Sequence, residues 1–415
     1  MAEPRREAAA EAGPAPADEV PRDVVLFSTA DWRAPYWTNK QHTARQLAAT
    51  GRRVLYVESI GLRSPGANAR DFRRLWLRLR RGLAPVREVE RGVWLLSPLA
   101  VPFKQHWRAV RLLNQGLLAL RIRWSLWRIG MRRPLVWTYH PFMLDALAMI
   151  PHHGLVYHCV DDLAAVPGIP AEPFRAEERR LLARCDAVFV TSAQLLEHCR
   201  PHNPHTWYFP NVVDAEHFGK ALQPGPIPED LARIPEPRLA YIGALSDFKV
   251  DFRLLHDAAS AHPEWQWVLI GDEREGQHDP WLAAMRELPH VHLLGHRDYG
   301  QLPDYLRGIA VGLLPTLVND YTRSMFPMKY FEYIAAGRRV VSTPLEFTRH
   351  ESAALEIGGD HEAFAGAIAR SLARPHLSAA SAAAAVGDNT WAARLDKMTA
   401  LVAAALHDAH SAAAS

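Results

Sequence analysis

Eleven short apolar runs, each bounded by turn-forming or charged residues, limit this chain to very few folds. Six lie in the first half: Val24–Ser28, Arg53–Val57, Val93–Leu96, Leu135–Tyr139, Leu155–Cys159 and Ala187–Thr191. Five follow in the second: Leu239–Ile242, Trp265–Ile270, Val291–Leu294, Ala310–Leu314 and Arg339–Ser342. Uninterrupted apolar runs of this length, with helical segments between most of them, read as strands buried on both faces of a parallel sheet. The fold class expected is therefore α/β, with two doubly wound sheets. At 415 residues the chain can bury two cores. Between the two series, Ala221–Pro237 holds five prolines and reads as a linker. The expected organisation is a disordered tail over 1–22, one Rossmann-like domain over 23–220, the linker over 221–237, a second Rossmann-like domain over 238–388, and a terminal helix and tail over 389–415.

The segment Phe326–Pro344 carries the strongest chemical signal. Pro327 near a first turn, the apolar set Met328, Phe331, Ile334 and Ala335, and Gly337 as a stop predict a short helix running into the strand Arg339–Ser342. Lys329 and Glu332, three apart, share one face of it. A cation and a carboxylate at the end of a doubly wound sheet suit a nucleotide, the lysine on phosphate and the carboxylate on ribose hydroxyls. The plain alternative is a surface ion pair.

This segment resembles the donor-binding signature of retaining GT-B glycosyltransferases, the group that builds bacterial polysaccharides. The match is Glu332 followed by Ala336, Gly337, Val340 and Val341, while Pro327, Lys329, Glu332 and Tyr333 are similar to a pattern of teichuronic acid biosynthesis enzymes. The group's usual second glutamate, two turns earlier, is Ser324 here. The resemblance implies two Rossmann-like domains facing a cleft and a C-terminal helix crossing back to the first domain. It also implies a nucleotide diphosphate sugar as donor, needing no separate cofactor, a sugar hydroxyl as acceptor, and retention at the anomeric carbon.

Around the signature, Gly243 follows the first strand of the second series, with a helix expected to begin near Asp247. A glycine and a helix N-terminus there suit a diphosphate, and Lys249 is the basic residue that the resemblance asks for nearby. A plain strand-to-helix turn is the alternative. The loop Gly295–Asp298, centred on His296, and Asp272 follow strand ends and are expected at the base, because ligands of open parallel sheets bind beyond the carboxyl ends of strands. The loop Asn319–Ser324, with Thr322, Arg323 and Ser324, is expected near the leaving phosphate and the sugar.

In the first half, His140 ends a strand and looks like the histidine that the family places near the donor sugar, where a neutral imidazole can hydrogen-bond a hydroxyl. Asp161 and Asp162 end the next strand; Asp162 reads equally as an acceptor-side carboxylate and as a helix N-cap. Asp31, Trp32, Trp37, Asn39 and Gln41 are expected in the loop after the first strand, where the tryptophans either stack on a sugar or plug the fold. The cluster His198, Cys199, His202 and His205 is broken by two prolines, and no second cluster completes zinc-like spacing, so no metal site is expected. Neither half carries a G-x-G-x-x-G after its first strand, which argues against a dinucleotide dehydrogenase.

Charge is uneven. Arg63–Arg133 holds seventeen Arg and Lys against three acids, so with a total of +3 the remainder is about eleven units negative. Trp, Leu and Arg interleave over Phe72–Gly82 and Trp107–Arg133, as in helices lying on anionic lipid; core helices with outward arginines are the alternative, and nucleic acid is disfavoured for want of an aromatic strand platform. Cys159, Cys185 and Cys199 show no pairing pattern, and Met1–Pro21 lacks an apolar run. The expectation is a cytoplasmic enzyme, peripheral at the membrane, acting on a glycan or lipid-linked acceptor. The competing expectations are a sugar-nucleotide epimerase and a nonenzymatic scaffold of a polysaccharide assembly complex.

Overall fold

The computed structural model describes residues 20–34, 36–59, 82–99, 107–273, 279–349 and 352–414. The expected tail over 1–22 thus lies almost wholly outside the described residues, as do most of Phe72–Gly82 and the stretch 100–106. Two compact units emerge. The first comprises residues up to 34, 38–209 and 392–415; the second comprises 35–37 and 210–391.

The first unit is built on an eight-stranded sheet in the order β3-β4-β2-β1-β5-β6-β7-β8. Its strands are β1 (Asp23–Phe27), β2 (Arg53–Val57), β3 (Arg87–Glu90), β4 (Val93–Leu96), β5 (Leu135–Thr138), β6 (Gly154–Cys159), β7 (Ala187–Val190) and β8 (Thr206–Tyr208). All neighbours pair in parallel except β3 with β4. All five residues of β1 and all six of β6 are buried, as a sheet covered on both faces requires. On one face Val25, Phe27, Leu55 and Val136 pack with Leu118, Ile122 and Leu126 of the helix Arg108–Ile129.

The second unit has six strands in the order β11-β10-β9-β12-β13-β14, parallel throughout. They are β9 (Arg238–Ile242), β10 (Gln266–Ile270), β11 (Val291–Leu293), β12 (Val311–Leu314), β13 (Arg339–Ser342) and β14 (Leu355–Ile357). The α/β class with two parallel-dominated sheets is as expected, and so is a C-terminal helix: Trp391–Ala414, which from Ala392 onward belongs to the first unit.

Each sheet reverses its winding once. In the first the chain leaves β1 toward β2 and later returns to β5 on the other side; in the second it leaves β9 toward β10 and returns to β12. Crevices open at such reversals, beyond the carboxyl ends of the strands.

The proline-rich stretch is not a free tether. Leu231 and Ile234 sit in the core of the second unit, and Arg307 donates to the carbonyls of Lys220, Gln223 and Pro226. The strands β3, β8 and β14 were not foreseen because each is a sheet edge of three or four residues, where no continuous apolar run is needed.

Candidate active site

The reversal between β9 and β12 is where the second unit gathers its chemistry. The helix Lys329–Ala335 is set by Tyr333: its ring lies so close to Gly312 of β12 that a Cβ there would meet it at 2.5 Å, and its hydroxyl accepts from the Ile242 N–H of β9 at 2.9 Å. Phe331 and Ile334 bury the helix below. Gly337, at φ +77°, ends it, with its N–H on the Ile334 carbonyl at 2.9 Å.

One turn before Tyr333, on the same face, Lys329 is carried over the end of β9. A Cβ on Gly243 would meet Lys329 Cε at 2.5 Å and its Nζ at 3.1 Å, so the ammonium rests against bare backbone that only glycine leaves open. Gly243 has φ +154°, and Gly271, in the same place after β10, has φ +153°. A Cβ on Gly271 would fall 1.8 Å from the Gly243 carbonyl oxygen. Two glycines therefore let adjacent strand ends close up beneath the lysine. The pattern was readable, since each follows an isoleucine at a strand end (Ile242, Ile270), but Gly271 was missed.

Glu332 stands beside Lys329. Burial raises its carboxyl above the usual glutamate value of 4.5, and the Lys329 ammonium offsets part of that rise. A half-buried carboxylate with accepting capacity to spare suits vicinal hydroxyls.

The helix expected near Asp247 begins at Phe252 instead, with Asp251 capping it through Leu254 N–H at 2.9 Å. The intervening residues turn, with Val250 N–H on the Ser246 carbonyl, and pair with the loop after β12: Val250 bridges Thr316, and Leu317 N–H donates to the Lys249 carbonyl at 2.9 Å. This pairing places Lys249 Nζ 3.0 Å from the Tyr321 hydroxyl and 4.6 Å from that ring's centre. The loop Asn319–Ser324 is folded inward: Asn319 caps the turn Asp320–Arg323, Thr322 donates to the Leu317 carbonyl, and Ser324, 1% exposed, donates to the Tyr321 carbonyl at 2.8 Å. Ser324 thus has its hydroxyl committed to the fold.

Beyond β10 and β11, Asp272 ties the two loops together by accepting from His296 N–H at 3.0 Å. Tyr36 adds to the same corner: its hydroxyl accepts from Asp272 N–H at 2.9 Å, and its ring meets the His296 ring edge-on at 5.1 Å. His296 Nδ1 is buried without a hydrogen-bond partner. Arg297 turns away to Asp230 and Tyr305.

In the first unit, His140 follows β5 at the other reversal. It is 3% exposed, and Nδ1 accepts from Phe142 N–H at 3.2 Å, which leaves the proton on Nε2. Burial, helped by the Lys40 ammonium, lowers its pKa to about 4. The ring is neutral at neutral pH. Lys40 itself lies 3.7 Å from Asp161, and burial lowers its pKa against the opposing pull of that carboxylate. Lys40 went unread between Asn39 and Gln41, which lie in the helix Asn39–Ala49 rather than in a loop. Asp162 is the N-cap of Leu163–Ala165, accepting from Ala164 N–H at 3.1 Å, and pairs with Arg175 at 2.6 Å. Trp32 packs edge-on to Tyr56 at 5.1 Å. His198 bonds Glu178 at 2.8 Å, and among the described residues no group of three or more His, Cys, Asp or Glu is placed to hold a metal.

Residues 236–374 match the family model described as glycosyl transferases group 1. A 110-residue stretch is 33% identical to TuaH of Bacillus subtilis (strain 168), a protein named as a teichuronic acid biosynthesis glycosyltransferase. It covers 26% of this chain, and the chain spans about a quarter (27%) of that curated relative's length. Among solved structures, sucrose-phosphate synthase from Thermosynechococcus elongatus superposes with a TM-score of 0.61 at 19% identity, covering 95% of this chain and 100% of the other. HepE from Anabaena, in complex with UDP, gives 0.56 at 13% identity, covering 94% and 99%. The fold is that of the GT-B proteins.

Proposed function

We propose that this GT-B chain is a glycosyltransferase that binds a nucleotide diphosphate sugar on its second unit and passes the sugar to a hydroxyl of a glycan or lipid-linked acceptor in polysaccharide biosynthesis. The observation that carries the reading is the Lys329 ammonium lying against Gly243 at the winding reversal, with the half-buried Glu332 carboxylate on the same helix. Cation and bare backbone suit the diphosphate, and the carboxylate suits the ribose. As the sugar leaves, the bond between its anomeric carbon and the β-phosphate oxygen breaks with the electron pair on that oxygen, where Lys329 neutralises it. The acceptor oxygen bonds to the same carbon and its proton passes to the departing β-phosphate oxygen, so that bonds and charge balance. The neutral His140, holding its proton on Nε2, is suited to donate to a sugar hydroxyl, and Asp161 and Lys40 supply the polar pair of the acceptor unit. Retention of configuration and independence of metal ions belong to the same proposal, as does work in the cytoplasm, where nucleotide sugars and reduced cysteines coexist.

The test is thermal unfolding of the whole chain with UDP, GDP, ADP, CMP, NAD and sugar conjugates. One nucleoside diphosphate should raise the melting temperature, since a ligand at a hundredfold its dissociation constant adds about 2.7 kcal/mol. Glu332→Ala should abolish the rise. Silence toward every nucleotide would favour a scaffold, and a rise with NAD alone would overturn the reading.

A further inference from the structure

The helix Arg108–Ile129 is apolar on two opposite faces, and only one of them packs on the sheet. Leu118, Ile122 and Leu126 are buried in the first unit's core. Leu113, Leu120, Trp124 and Trp127 are 53%, 65%, 38% and 77% exposed. At 3.6 residues per turn these four fall within an arc of roughly 60°, centred about opposite to Ile122. A contiguous row of large apolar side chains is ordinarily covered, so this stripe wants a cover.

What would cover it is indicated by the charge beside it. Between Trp107 and Arg133 there are seven arginines and no acid. Arg121 and Arg128 on one side and Arg123 on the other flank the stripe, and the Arg121 and Arg128 guanidinium carbons lie 5.8 and 5.5 Å from the Trp124 ring centre. A ridge of Trp and Leu between rows of arginine matches the boundary between acyl chains and anionic headgroups, where indole rings settle and guanidinium groups meet phosphate. A soluble protein partner would have to supply an acidic rim on both sides of an apolar groove; a bilayer supplies both everywhere. Among the described residues no helix is long and apolar enough to cross a membrane, so the helix would lie in the surface.

We propose that the stripe Leu113–Leu120–Trp124–Trp127, with its flanking arginines, docks the protein on the surface of an anionic lipid bilayer. The inference rests on the first unit alone and stands or falls apart from nucleotide binding.

The experiment is flotation of the full chain with vesicles of phosphatidylcholine alone or with added phosphatidylglycerol. Binding should require the anionic lipid and weaken at high salt. Leu120→Ser with Trp127→Ser should cut partitioning at least about tenfold, since burial of both side chains is lost. Arg128→Gln should cut it roughly fivefold. Because the stripe is exposed, the serine variant should melt at or above the wild-type temperature. Failure to float, equal flotation of the serine variant, or equal binding to neutral vesicles would each overturn the proposal. So would a lowered melting temperature of the serine variant, or binding seen only after deletion of residues 60–81, because either would show that the chain itself covers the stripe.

Discussion

The two units share a winding plan and put opposite environments at its reversal. Beyond β9 and β12, the backbone is opened by Gly243 and Gly271, with the Lys329 ammonium against Gly243 and Glu332 beside that lysine. Beyond β1 and β5, the corresponding space is filled: Ser28 bonds the Tyr56 hydroxyl at 2.7 Å, Tyr139 bonds Thr43 at 2.8 Å, and His140 is held neutral among aromatic rings. The same topology thus presents an ammonium against open backbone in one unit and a desolvated hydrogen-bond donor in the other. Topology chooses where a site forms; the side chains at strand ends choose what it binds.

The two units should differ most at Gly271. Gly271→Ala places a Cβ 1.8 Å from a backbone oxygen that cannot move aside without parting β9 from β10. A loss of about 4 kcal/mol or more is expected, read by chemical denaturation. Gly51→Ala, in the first unit at φ +85° with open space around it, should cost only about 1 kcal/mol. Equal costs would show that the close approach of strand ends is not what Gly271 serves.

Lys329→Ala sharpens the contrast in charge. Loss of one group that stabilises developing charge typically lowers kcat by about 10²–10³-fold. The fold should persist, because Tyr333 and the apolar face of the helix remain, and unfolding at fixed pH would verify that. Transfer activity within a few-fold of wild type would remove Lys329 from the leaving-phosphate role.

A smaller effect separates the units by pH. The pKa of His140 is about 4 in the fold against 6.5 for a free imidazole, so the unfolded chain binds the proton more readily. Stability should therefore be full above about pH 6.5 and fall as pH drops toward 4, by roughly 3 kcal/mol for this residue. His140→Gln should flatten that share of the slope, while His158, depressed the same way by burial and by Arg394, keeps its own. Glu332 runs the other way: a carboxyl raised by burial contributes most at low pH and loses that contribution as pH rises from 4.5 through its folded value. Opposite slopes in the two variants, followed by denaturant titration, would confirm the two environments; matching slopes would contradict them.

Much of the second unit was legible from sequence because its informative residues are local. Lys329 and Glu332 are three apart on one helix, and Gly243 directly follows an apolar strand. What escaped is long-range. The helix after β9 starts five residues later than expected because Val250 bridges Thr316, a pairing that no local pattern announces. Tyr36 reaches Asp272 across 236 positions. Arg394, on the terminal helix, donates to His158 at 2.9 Å and to Asn39 at 3.1 Å, so residues from three distant segments form one buried cluster.

Periodicity, breakers and burial demand are properties of neighbouring residues, and they determined by themselves the α/β class, the two strand series and the Lys329–Glu332 face. Which strands sit at a sheet's centre, where each winding reverses, and how far burial shifts Glu332, His140 and Lys40 depend on contacts between segments far apart in the chain. Those were decided only when the sheets assembled, because desolvation and close backbone approach are set by everything packed around a group and not by its neighbours in sequence.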